Sequence, residues 1–179
     1  MTEVRIFTYD LSRGVCKIIS PWILWTKTLD AVWHSSISIF GHEFFYGTSG
    51  IEFCKNYETI LGRPDDEYFV GNLNVTQEEW IKWLEDTGKV KYCHEKYNLL
   101  DFNCNNFVNY FLETFFTKGL ANYDERILNM PKIIRTSAVG EPGAKLAIWI
   151  AVFVRLVVKF IIFITGNDIV SIKDWKYLD

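Results

Sequence analysis

Tyr97-Asn98-Leu99-Leu100-Asp101-Phe102-Asn103-Cys104-Asn105-Asn106-Phe107-Val108-Asn109-Tyr110 is the stretch around which the rest of the chain is organised. A cysteine stands between asparagines after a polar break. Apolar residues then recur at helical spacing: Phe107, Val108, Phe111, Leu112, Phe115 and Phe116. The spacing predicts a helix with Cys104 in its first turn, Asn103 as N-cap and Gly119 as its end. The first N–H groups of a helix lack partners within it and carry partial positive charge, so they favour an anion. A thiolate is such an anion, which gives Cys104 a reason to ionise readily and act as a nucleophile. A cysteine at a helix start also serves as plain packing, and what separates the two readings is a base within reach.

The sequence has three histidines. His94 lies in the charged run Lys91-Tyr92-Cys93-His94-Glu95-Lys96 and reads as solvated surface. His42 sits with Gly41 between two β-rich runs, Ala31 to Phe40 and Glu43 to Tyr46, at the tip of a hairpin read as type II′. His34 is different: Trp33, Ile37 and Ile39 mark its strand as a core strand. Burial there would keep an imidazole rigid, neutral and able to accept a proton. The alternative for His34 is a core histidine with satisfied hydrogen bonds.

Composition sets the frame. The chain has 179 residues, 49% hydrophobic and 23% charged, with a formal net charge of −3 and no basic run. That is enough to bury a real core, and it disfavours nucleic acid as a partner. The four cysteines form no C-x-x-C pair, and Cys93-His94 with Cys104 lacks a fourth ligand at metal-site spacing, so neither metal nor cofactor is expected. Met1-Thr2-Glu3-Val4-Arg5 lacks the apolar region of a secretory signal, which points to a cytoplasmic setting with reduced thiols.

Along the chain, the alternation of Val4, Ile6 and Thr8 predicts a first strand, and Ser20-Pro21 opens a short helix to about Leu29. Further strands are expected near Ile51 to Tyr57 and Glu67 to Val75. Thr76-Gln77-Glu78-Glu79 is a capping box for a helix to about Thr87-Gly88. Met130-Pro131 closes the compact part. We therefore expect a domain over 1–135, a linker over 136–143, a hydrophobic helix over 144–165 and a polar tail over 166–179. In Leu146 to Ile164 fourteen of nineteen residues are Leu, Ile, Val or Phe, interrupted by Arg155 and Lys159. The apolar residues supply about −6 kcal/mol toward insertion and the two basic ones cost about +6, so membrane contact is expected without a commitment to spanning.

Several segments together resemble the PPPDE family of permuted papain-fold peptidases, which includes the deSUMOylating isopeptidases. They are Tyr9-Asp10-Leu11-Ser12, Trp33-His34-Ser35, Phe45-Tyr46-Gly47, Gly62-Arg63-Pro64, Tyr97-Asn98-Leu99 with Asn103-Cys104-Asn105-Asn106-Phe107, and Leu128-Asn129-Met130-Pro131, in that order. The resemblance covers about residues 3 to 135. It implies an α+β permuted papain-like fold, a small antiparallel sheet packed by helices, in which the histidine strand precedes the cysteine helix. It also implies a Cys–His dyad: Cys104 attacks a carbonyl, His34 moves the proton, and the N–H of Cys104 is an oxyanion donor. Thr48 and Ser49 interrupt the glycine-rich run that follows the Phe-Phe-Gly-like strand in the family.

The substrate implied first is a protein carrying SUMO, ubiquitin or a related modifier. Hydrolysis of S-acyl cysteine at membranes is an alternative with the same dyad. Lecithin-retinol acyltransferase-like chemistry is a third, opposed by the absence of histidine from Glu43 to Gly47. A catalytically silent membrane-tethered adaptor is a fourth, opposed by the presence of both His34 and Cys104.

Overall fold

The computed structural model describes residues 1–14, 16–18, 30–59, 61–116, 125–135, 142 and 170–171. Five strands form an antiparallel sheet: β1 (Thr2–Asp10), β2 (Trp33–Ile39), β3 (His42–Gly47), β4 (Gly50–Lys55) and β5 (Asp66–Leu73). A two-residue strand β6 (Val170–Ser171) from the C-terminal tail pairs with Phe53 and Glu52 of β4, giving the order β5-β1-β2-β3-β4-β6. Among the described residues the longer helices are α1 (Gln77–Val90), α2 (Cys104–Phe115) and α3 (Glu125–Arg135), with a 3₁₀ turn at His94–Lys96. The architecture is the α+β arrangement expected from the sequence.

In the centre the strands are buried on both faces. From Ser35 to Ile39 every residue of β2 is buried, so its alternation separates two kinds of interior rather than inside from outside. One face is apolar: Val4 and Ile6 of β1, Ile37 and Ile39 of β2, Phe44 and Tyr46 of β3, Ile51 and Phe53 of β4. These pack against Trp80, Ile81 and Leu84 of α1 and Phe107, Val108, Phe111 and Leu112 of α2. The opposite face receives Phe7, Tyr9, His34, Ser36, Ser38, Glu43, Phe45 and Cys54, and most of these are buried too.

Local chemistry accounts for the helix starts. Thr76 accepts from the Glu79 N–H and Glu79 returns a bond to the Thr76 N–H, the capping box read from sequence. Helix α1 runs two residues past Gly88, to Val90.

Elsewhere the structure departs from expectation. The β2–β3 link is Phe40-Gly41, with φ +55° and +74°, between the paired Ile39 and His42. Two positive φ values in a two-residue loop make it type I′, and His42 becomes the first residue of β3 rather than the tip. Helix α2 ends at Phe115, not near Gly119, because Phe116 leaves the helix and lays its ring against Gly71 of β5. Pro131 lies inside α3. The expected helix from Ser20-Pro21 and the hydrophobic helix of 144–165 lie outside the described residues. Among the described residues no helix is long and apolar enough to cross a membrane.

Candidate active site

The asparagines around Cys104 each have a separate structural task. Asn98 folds the preceding loop: its Oδ1 accepts from the N–H groups of Leu100 and Asp101 at 3.0 and 3.1 Å. Its backbone pairs with Phe102 in both directions, at 2.9 and 2.8 Å. Asn103 is the N-cap, in extended backbone, with its Oδ1 accepting from the N–H of Asn105 and of Asn106. Asn106 completes the box by accepting from the Asn103 N–H at 2.9 Å. Asn103 Nδ2 also donates to the Leu99 carbonyl at 2.6 Å, so the cap is tied to the loop before it. Cys104 is thereby fixed as the first helical residue.

Asn105 joins this helix start to β2. The β2–β3 ladder runs only from Ile39↔His42 to Ile37↔Phe44, whereas β2 continues its pairing with β1 back to Asp10↔Trp33. Backbone groups along a strand point alternately to its two edges, so Trp33 and Ser35 direct theirs to the side that β3 has left. The Asn105 amide takes β3's place there. Its Nδ2 donates to the Trp33 carbonyl at 3.0 Å, and its Oδ1 accepts from the Ser35 hydroxyl at 2.7 Å. The same oxygen takes the thiol of Cys104 at 3.7 Å. The backbone N–H groups of Ser35, Asn105 and Cys104 favour the thiolate form.

The Asn105 carboxamide oxygen therefore joins Cys104 to Ser35, the residue following His34. The start of α2 is thus tied to the strand that carries His34, seventy positions earlier in the chain. His34 lies between two rings, Tyr9 of β1 with centroids 5.9 Å apart and Phe45 of β3, edge-on, at 5.7 Å. The other histidines are elsewhere. His42 packs with Phe44 and Phe53 on the opposite face, and His94 is exposed.

Burial disfavours the charged form of both site residues. Desolvation lowers the His34 imidazole to about 4, in line with the expectation of a neutral base. The expectation of an easily ionised thiol is corrected. Cys104 is 6% exposed, and burial pushes it up to about 11 despite the three N–H groups that favour the thiolate. A helix terminus contributes about a kcal/mol or less, whereas desolvating an anion costs several, so burial wins.

The residues missed from sequence are Ser35 and Asn105, both inside quoted motifs but without an assigned role. The available signal was three serines, Ser35, Ser36 and Ser38, in a central strand, where a buried hydroxyl demands a partner.

Residues 2–142 match the family described as "PPPDE putative peptidase domain". Over 138 residues, 77% of this chain, the sequence is 36% identical to desumoylating isopeptidase 1 of Xenopus laevis and to that of Rattus norvegicus, covering 79% and 80% of those proteins. It is 34% identical to the Homo sapiens protein of that name over the same length, covering 80% of it. With its histidine strand ahead of its cysteine helix, the chain belongs to the PPPDE peptidase family.

Proposed function

We propose that this peptidase is a cysteine isopeptidase that releases SUMO from lysine side chains, with Cys104 as nucleophile and His34 as base. The observation that carries the reading is the Asn105 amide, which holds the Cys104 thiol and β2 on either side of His34, at the Trp33 carbonyl and the Ser35 hydroxyl. The substrate class follows from the relatives named as desumoylating isopeptidases.

A neutral pair defines the order of events. The carbonyl carbon of the isopeptide bond approaches the sulfur, and the thiol proton passes to His34 as the C–S bond forms. The carbonyl oxygen gains negative charge and takes the N–H of Cys104. Collapse expels the lysine amine, which receives the proton from His34. Water then attacks the thioester, His34 accepts its proton, and the modifier's carboxylate and the free thiol are restored. Substrate covering the site in place of water strengthens each of these interactions.

SUMO- and ubiquitin-vinyl sulfone probes test the proposal. We expect a covalent adduct with the SUMO probe in the wild type, none in Cys104→Ala, and strongly slowed labelling in His34→Ala. No SUMO adduct with the folded wild type, or an adduct that survives Cys104→Ala, overturns it. Faster labelling by the ubiquitin probe would overturn the assignment of the modifier while leaving the dyad.

A further inference from the structure

The described residues place no hydrogen-bonding side chain on either ring nitrogen of His34, so its orientation needs another source. Its neighbours are rings, Tyr9 and Phe45. The Tyr9 hydroxyl donates to both carboxyl oxygens of Glu43 at 2.9 Å, and the Ser36 hydroxyl donates to Oε1 at 2.7 Å. Glu43 is fully buried and Tyr9 nearly so. The carboxyl sits two residues from Phe45 on one face of β3, and Tyr9 is the direct cross-strand partner of His34. One wall of the histidine slot, Tyr9, is thus tied to a buried acidic group on the strand that carries the other, Phe45. We propose that Tyr9 and Glu43 are positioning residues for His34, the carboxyl fixing the Tyr9 ring and the ring fixing the imidazole.

Physical considerations favour a task beyond packing. A carboxyl in a protein interior is costly, and an apolar residue of similar volume would fill the same space. Burial raises the Glu43 carboxyl, while the hydroxyls of Ser36 and Tyr9 pull it down. The other titratable group facing it is Cys54, opposite on β4, whose thiol burial and Glu43 push up to about 12. Burial and Glu43 together raise the Tyr9 phenol, so it remains a donor. A ring held at one end by its hydroxyl cannot tilt freely, and the imidazole against it is held without a hydrogen bond that would consume a ring nitrogen. Both nitrogens stay available for moving protons.

The inference rests on the reading of His34 as base, and the variants separate the two. Steady-state cleavage of an isopeptide-linked SUMO fluorophore would be measured for wild type, His34→Ala, Tyr9→Phe, Glu43→Leu and Glu43→Gln. Tyr9→Phe keeps the ring and removes only the anchor. We expect kcat to fall about tenfold in Tyr9→Phe and Glu43→Leu with KM within about twofold, the pattern of a misplaced group rather than weaker binding. Glu43→Gln still accepts from both hydroxyls and should recover to within about threefold. Wild-type kcat in Tyr9→Phe, with His34→Ala severely impaired, overturns the positioning role and leaves the dyad. Wild-type kcat in His34→Ala overturns both. Should Glu43→Leu fail to fold, Tyr9→Phe and Glu43→Gln still decide the matter.

Discussion

On one face of the sheet, β2 presents Ile37 and Ile39 to the aromatic interior beneath α1 and α2; on the other, the same strand presents His34, Ser36 and Ser38. The first face gains stability from nearly every atom it buries, through area removed from water and dense ring contacts such as Trp80 against Phe44 and Phe111. The second buries a carboxyl, a phenol and hydroxyls that each need a partner and contribute little net stability. The difference teaches where change is tolerated. Loss on the apolar face should be read in stability and loss at the strand edge in turnover.

The largest expected effect lies at the edge. Cys104→Ser replaces the nucleophile by a weaker one of similar size, and turnover of the SUMO conjugate should fall by about 10⁴-fold or more. Its thermal midpoint should stay within about 2 °C of wild type, since the hydroxyl can still donate to Asn105. A large drop in midpoint would erase the separation of the two faces.

The apolar face supplies the converse. Phe111 is fully buried against Trp80, Trp83 and Phe116, and Phe111→Ala should cost about 3–5 kcal/mol in urea unfolding. At low temperature, where the variant remains folded, kcat should be close to wild type. Loss of kcat in the folded variant would mean that the core also sets the site.

The two faces differed in legibility as well. The helix starts were readable because capping is local: Thr76 with Glu79, and Asn103 with Cys104 in the following turn, involve residues three positions apart or fewer. The register of the β2–β3 hairpin was not local. Whether Gly41 is the first or second loop residue depends on Ile39 meeting His42, and the positive φ of Phe40 is not a residue preference. The end of α2 depends on Gly71, far along another element. At the site, Cys104 and His34 could be singled out by residue type and resemblance. The thiol's resistance to ionisation could not, because the burial that causes it comes from β2, and the role of Asn105 appears only where β3 departs from β2.

A smaller effect tests the charge state of the histidine. The folded pKa of His34 is about 4, below the unfolded value near 6.5. The unfolded chain therefore binds more protons between these values, and stability should fall as pH falls from 6.5 toward 4. Between pH 7.5 and 4.5 the wild type should lose about 2 kcal/mol more than His34→Gln, measured by urea unfolding at both pH values. Equal losses would show that the imidazole is not desolvated, and a smaller loss in the wild type than in His34→Gln would replace the neutral resting pair by an ion pair.

The smallest effect falls at Asn103, the N-cap of α2. Its side chain accepts from two helix N–H groups and donates to Leu99, so Asn103→Ala leaves the N–H groups of Asn105 and Asn106 without their cap and the Leu99 carbonyl without this donor. Loss of a cap costs about 1 kcal/mol, while Asn103→Ser keeps a cap and loses only the link to the loop. If the first turn serves the apolar face alone, both variants should change unfolding free energy and leave kcat untouched. If it also aims the Cys104 N–H at the reacting carbonyl, fraying moves that donor, and kcat should fall severalfold in Asn103→Ala beyond what the lost stability explains. The serine variant should lie between alanine and wild type in unfolding free energy and recover most of kcat, because the cap rather than the Leu99 link holds the donor in line. A serine variant as slow as alanine would instead assign the alignment to the loop before the helix.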